Sequence, residues 1–184
     1  MVVAVLDACI LYSAALRDLF MQLFGQGAFQ PKWTETIHEE WIRNVLANRP
    51  DLAPARIHRT RQMMNDNGGD WECPGYESII PTLTLPDPND CHVLAAAIAG
   101  RASHLVTFNL SDFPVSVLSA FGIAAVHPDA FLMELLVQKP EAFRQALHEL
   151  LASLKNPPRT FEQQLELMRG QGLIETAKQL ESVF

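Results

Sequence analysis

The chain opens on an unbroken apolar run, Val2 to Leu6. A run without alternation predicts a strand covered on both faces, the habit of a central strand in a parallel sheet. Apolar positions then recur at helical spacing from Leu11 to Phe24, at Leu16, Leu19, Phe20, Leu23 and Phe24, and Gly25 and Gly27 stop the pattern. A short extended piece around Phe29 leads to a second helix, Thr34 to Ala47, whose stripe is Ile37, Trp41 and Val45. After a turn over Asn48 to Pro54, a third, polar helix runs from Pro54 to Met64, ended by the loop signal Asn65-Asp66-Asn67-Gly68-Gly69.

From Trp71 to Leu85 the pattern is irregular, with a short helix expected near Tyr76 to Ile80. Asp87-Pro88-Asn89-Asp90 opens the next helix, which ends at Gly100. His104 to Phe108 reads as a second buried strand, Asn109 to Pro114 as a loop, and a short helix follows as far as Gly122. Ile123 to Val126 is a third short strand. Strands alternating with helices predict an α/β fold with a parallel sheet and right-handed crossovers. Beyond His127 the pattern is helical throughout: Pro128 to Val137, Pro140 to Leu154, Thr160 to Arg169 and Leu173 to Val183. The expected division is a sheet domain over 1–127 and a helical extension over 128–184, packed on that domain or on a partner.

Four acids stand out against this pattern. Asp7 directly follows the first strand, and Asp112 lies in the loop after the second. Ligands of open parallel sheets bind at the carboxyl ends of the strands, and helices that follow strands start on that edge. Asp90, at a helix head, belongs to the same edge. Asp87 suits the N-cap with Pro88 next to it, and Asp90 shares a side with the apolar Val93 and Leu94. Asp87 is therefore the expected cap, with a supporting role, and Asp90 the ligand. Glu40 borders the stripe of Ile37, Trp41 and Val45, whereas Glu39 points elsewhere and can pair with Arg43 four positions on. Carboxylates brought together repel one another and lose hydration. A divalent cation among them offsets both costs, and hard oxygen donors point to Mg²⁺ or Mn²⁺. Thr107 and Asn109 are polar residues of the same loop, and Asn109 could orient a metal-bound water. His38 and His92 lie near these acids and read as structural hydrogen-bond partners.

The net charge of −7 excludes a generally basic nucleic-acid coat. It leaves room for a local patch, and Arg43, Arg49, Arg56, Arg59 and Arg61 form one, opposed nearby in sequence by Asp51. These arginines read as contacts to a nucleic-acid backbone or as a solvated helix face. Three cysteines, Cys9, Cys73 and Cys91, have neither zinc nor redox spacing, which suggests reduced thiols in the cytosol. The apolar start lacks a basic segment and is interrupted by Asp7, so it is not read as a signal peptide, and no stretch is long enough to span a bilayer.

Four segments together carry a resemblance: Val5-Leu6-Asp7, the helix with Glu40, Asp87-Pro88-Asn89-Asp90-Cys91-His92-Val93-Leu94-Ala95-Ala96-Ala97, and Leu105-Val106-Thr107-Phe108-Asn109-Leu110-Ser111-Asp112-Phe113. In this order and spacing, residues 1 to 127 resemble PIN-domain ribonucleases, best known from the VapC-type toxins of bacterial toxin–antitoxin pairs. The resemblance implies a three-layer α/β/α fold around a parallel sheet. It also implies an acidic quartet, here Asp7, Glu40, Asp90 and Asp112, that binds Mg²⁺ or Mn²⁺ and cleaves RNA. Thr107 and Asn109 match the family's polar positions before the last acid. Many members follow the first aspartate with Thr or Ser and then Asn, where this chain has Ala8 and Cys9. The helical tail is an extension that the shortest toxins lack. The implied partners are an RNA substrate and a small antitoxin protein, and the tail adds a homodimer to the expectations.

The expected chemistry is metal-assisted phosphodiester hydrolysis by a cytoplasmic endoribonuclease. The alternatives are a PIN-like module that binds RNA or protein without cutting, a flap-type nuclease acting on structured DNA, and a nucleotide-binding α/β protein. The last lacks both the glycine-rich fingerprint and the phosphate-loop lysine after its first strand.

Overall fold

The computed structural model describes residues 1–155 and 157–183. Its centre is a parallel sheet of four strands in the order β2-β1-β3-β4. They are β1 (Val3–Leu6), β2 (Gln30–Lys32), β3 (His104–Val106) and β4 (Ala124–Val126). In register, Ala4 of β1 pairs with Pro31 on one side and with His104 on the other. The chain leaves β1 toward β2 and later returns to β1's other edge as β3. The β1–β3 boundary is therefore the topological switch point, where an open parallel sheet offers its binding crevice. Ala4, Val5 and Leu6 have no exposed surface, so β1 is covered on both faces.

The helices are α1 (Ala8–Tyr12), α2 (Ala14–Gly25), α3 (Glu35–Asn48), α4 (Pro54–Asn67), α5 (Cys91–Ala99), α6 (Val115–Leu118), α7 (Pro128–Gln138), α8 (Pro140–Ser153), α9 (Phe161–Gly170) and α10 (Ile174–Val183). α5 packs on β1 and β3, and its run Val93 to Ala97 is wholly buried. The alanines let the helix lie close to the strands. The architecture is the expected α/β arrangement with C-terminal helices.

Three local expectations change. The apolar stretch after Asp7 is two helices rather than one, because Ser13 leaves helical geometry (φ −76°, ψ 117°) and caps α2 through Leu16 N at 3.4 Å. The piece near Phe29 is a true edge strand, and such an edge is where Pro31 can be tolerated without a donor. Helix α4 continues past Met64 to Asn67. Asn65 is held there by Trp33 Nε1 and His38, Asn67 donates to Met63 O, and Gly68 closes the helix because a Cβ there would sit 2.7 Å from the Trp33 ring.

The tail is part of the same apolar core. Phe131 of α7 lies 6.2 Å from Phe20 and 5.4 Å from Phe29 between ring centroids, and α8 packs along α2. Asp129 clamps the last helix: its carboxylate accepts the backbone N–H of Glu175 and Thr176, both at 2.9 Å, and the Thr176 hydroxyl at 2.6 Å.

Candidate active site

The site is built on the carboxyl edge of β1 and β3. Asp7 is 6% exposed and sits where β1 ends. Its backbone N–H still reaches Val106 O of β3, so the switch point holds it from both strands. Oδ1 caps α1 by accepting Ala8 N at 2.6 Å. Oδ2 accepts the Thr107 hydroxyl at 2.7 Å and the Cys9 thiol at 3.2 Å. Burial pushes the Asp7 pKa above its ordinary value, Glu40 adds to that, and the three hydrogen bonds oppose it.

Thr107 is fully buried and accepts Asn109 N at 3.0 Å while it donates to Asp7. Cys9 also accepts Phe108 N at 3.5 Å. Burial, followed by the neighbouring Asp7, pushes the Cys9 thiol up to about 12, so it stays protonated as a donor. Cys9 was not singled out from the sequence as part of the site. Its position two residues after Asp7 was the available signal, and the packing of β1 against the β3 loop made it meaningful.

A cavity of about 590 Å³ lies next to Asp7 and is lined by Glu40, Asp90 and Asp112, together with Asp87, Glu39 and Asn109. Asp90 lies among four other acids. Burial, then Asp7, Asp87, Asp112 and Glu40, raises its pKa from 3.8 to about 6. The four proposed acids are therefore electrostatic neighbours, three around the cavity and Asp7 buried beside them. Asp87 caps a 3₁₀ turn by accepting Asn89 N at 2.9 Å, whereas Asp90 makes no capping bond at the head of α5. The cap is therefore Asp87, as expected, and the Asp90 carboxylate is left out of capping.

Glu40 is half-buried, with Oε2 at 3.4 Å from His92 Nε2. His92 Nδ1 is buried without a hydrogen-bond partner among the described residues. Asp112 is approached by the Ser111 hydroxyl at 3.4 Å. His38 is wholly buried instead, accepting Trp41 Nε1 at 2.9 Å and meeting Asn65 Oδ1 at 2.8 Å. Burial lowers its pKa, which fits a neutral structural ring.

Among the described residues, no three His, Cys, Asp or Glu side chains stand close enough together to hold a metal ion as they are placed. The donor chemistry still fits a hard divalent cation: carboxylates and an amide oxygen surround one cavity, and their mutual repulsion is what a cation would relieve.

The arginines separate. Arg43 lines the acidic cavity. Arg49 is paired with Asp51 at 2.7 Å, and Arg61 is paired with Glu35, an opposing acid that the local sequence did not reveal. Arg49 and Arg56 line a second cavity, and Arg56 and Arg59 are exposed. The Glu39–Arg43 pair foreseen from spacing is not among the ion pairs of the described residues; both side chains border the acidic cavity instead.

An all-parallel sheet carrying acids at its switch point defines a class of site, and comparison with known proteins supplies the family. The PIN domain model matches residues 3–111 and the VapC50 C-terminal domain model matches residues 128–182. The chain belongs to the PIN-domain family. It is 37% identical over 86 residues, 47% of this chain and 50% of the relative, to "Putative ribonuclease VapC50" of Mycobacterium tuberculosis (strain ATCC 25618 / H37Rv). The match thus spans about half the length of that curated relative. No solved structure gives a significant match. No helix among the described residues is long and apolar enough to cross a membrane.

Proposed function

We propose that the chain is a metal-dependent endoribonuclease of the VapC type, the toxin of a toxin–antitoxin pair. The observation that carries this reading is the convergence of Glu40, Asp90 and Asp112 on one cavity beside the buried Asp7, at the switch point of a PIN-family sheet. The relative's name, which includes "ribonuclease", supports RNA as the substrate.

Asp7, Glu40, Asp90 and Asp112 would hold Mg²⁺ or Mn²⁺. Such an ion supplies polarisation of a phosphoryl oxygen and a lowered pKa for an attacking water. The chain's own residues prepare for it. Thr107 and Cys9 keep Oδ2 of Asp7 in one orientation. Burial and the acids around it hold the Asp90 pKa up at about 6, and a cation there would lower it and relieve the repulsion. Asn109, fixed through its backbone to Thr107, lines the cavity where a water could be oriented. Arg43, Arg56 and Arg59 are exposed and in no ion pair among the described residues, so they would meet backbone phosphates and make binding salt-sensitive. Arg49 and Arg61 would first have to exchange their carboxylate partners.

One observation favours the non-cutting alternative: among the described residues no three acids are placed as a ready metal site. A single experiment separates the two. Purified protein is incubated with assorted RNAs in Mn²⁺ and in chelator, beside Asp90→Asn. Cleavage that needs Mn²⁺ and disappears in the variant supports the nuclease. An Asp90→Asn protein cutting at the wild-type rate refutes the assignment, and a wild type with no measurable Mn²⁺ site by calorimetry supports the inactive module.

A further inference from the structure

A second cavity, of about 740 Å³, opens next to the acidic one and has the opposite charge. Three arginines, Arg17, Arg49 and Arg56, line it against a single carboxylate, Asp18. Arg17 is the unusual one. It is only 7% exposed, and among the described residues no acid lies within ion-pairing distance of it. Its guanidinium donates to Leu11 O at 2.5 Å and stacks 4.7 Å from the Trp41 ring, yet Nε is buried with no partner among the described residues. Asp18 offsets part of the Arg17 charge from beyond ion-pairing distance, burial still disfavours the cation, and an anion delivered into the cavity reduces that cost.

The two cavities share two walls. Along α3 and its C-terminal cap, Glu39, Glu40 and Arg43 line the acidic cavity, and Val45 and the cap residue Arg49 line the basic one. In the loop after β3, Phe108 lines the basic cavity and the next residue, Asn109, lines the acidic one. Tyr12, 39% exposed, adds an aromatic face at the mouth. The tail completes the wall through Gln171, which accepts the Ser13 hydroxyl at 2.6 Å.

We propose that this cavity is a subsite for single-stranded nucleic acid, taking a backbone phosphate on Arg17 and Arg56 and stacking its base on Tyr12. Paired basic and aromatic groups along a groove are how single strands are held without sequence readout. The proposal rests on the nuclease reading for which strand enters: the RNA whose scissile bond lies over the acidic cavity. It gives the C-terminal helices a part in substrate binding, through Gln171.

The test is fluorescence anisotropy of a labelled single-stranded oligoribonucleotide with the full chain, in chelator and in Ca²⁺, across a salt series. Arg56→Ala and Tyr12→Ala are the main variants, because both side chains are exposed. Each is expected to weaken binding about fivefold or more. Arg56→Ala should also reduce the salt slope by about one, and Tyr12→Ala should leave it unchanged. Arg17→Lys, checked for folding by its melting curve, should weaken binding at least as much. Wild-type affinity in all three variants, or a wild type that binds no RNA in either buffer, overturns the proposal. So does loss of binding to an acidic peptide alone with RNA binding intact, which would make the cavity a protein-docking site. Manganese-dependent cleavage is scored separately. If wild type binds through these residues but never cuts, the subsite stands and the nuclease reading fails. If it cuts while the variants bind normally, the reverse holds.

Discussion

The Thr107 hydroxyl donates to Asp7 Oδ2 at 2.7 Å, joining residues one hundred positions apart. The bond crosses the β1–β3 switch point and holds the most buried acid of the site. Thr107→Val keeps the shape but leaves Asp7 short of a donor and Asn109 N short of an acceptor. A buried unsatisfied group costs about 1–3 kcal/mol. The expected outcome is a lower melting temperature and a Mn²⁺ affinity reduced about 10–100-fold, as for other groups that orient metal ligands. Calorimetric titration returning wild-type Mn²⁺ affinity would show that Thr107 serves only the fold.

Asp90 links stability to pH. Its folded pKa of about 6 lies above the ordinary 3.8, so between those values the folded chain binds more protons than the unfolded one. Its contribution therefore declines as pH rises from about 4 to about 6, and above that the ionised Asp90 is a burden. In chelator at pH 7, Asp90→Asn should melt higher than wild type. Screening at this partly exposed side chain limits the gain to about 1 kcal/mol, or roughly 2–4 °C for a chain of this size. With Mn²⁺ at about a hundred times its dissociation constant, the wild type should gain about 2.7 kcal/mol and the variant little. Equal melting shifts for both proteins would remove Asp90 from the metal site.

Cys9 and Cys73 should be slow nucleophiles. Burial drives both thiols up to about 12. At pH 8 in native buffer each should react with iodoacetamide at least about tenfold slower than a model thiol, because the thiolate is the reactive form. Denaturant should abolish the difference. Mass-spectrometric rates per cysteine decide this, and rapid native labelling of Cys9 would mean that its bond to Asp7 does not persist.

The tail should depend on one carboxylate. Asp129→Ala removes the acceptor for Glu175 N, Thr176 N and the Thr176 hydroxyl. A lost helix cap costs about 1–2 kcal/mol. Burial acts to raise the Asp129 pKa, but the bonds from Thr176 and Glu175 outweigh it and hold the pKa below the ordinary carboxylate value. That stabilisation is therefore present above about pH 4 and fades as pH falls through the lowered pKa. Hydrogen exchange over α9 and α10 should quicken in the variant, with β1 and β3 unchanged. Uniform protection across the chain would contradict the clamp.

Much of the fold was legible because its elements are locally marked. An apolar run that ends at an acid, glycines that stop helices and prolines that start them are signals a few residues wide. The helices of the tail were readable for that reason, as were β1, β3 and β4. Where neighbours in space intervened, reading failed. Ser13 divided a continuous apolar pattern, and the side-chain bonds of Asn65 carried α4 past its loop signal. Glu35, reaching Arg61 from another helix, withdrew one arginine from the patch.

The sequence by itself determined which residue types stand at strand ends and helix heads, and so named Asp7, Glu40, Asp90 and Asp112. Only the tertiary structure decided how they meet: which acid is buried, which faces a cavity, and that Cys9 and Thr107 share Asp7. It alone also put a buried Arg17 in the wall of the second cavity. The physical reason is range. Periodicity and capping act over a few residues, whereas burial, charge coupling and cavities are made by side chains that the sheet brings together from across the chain.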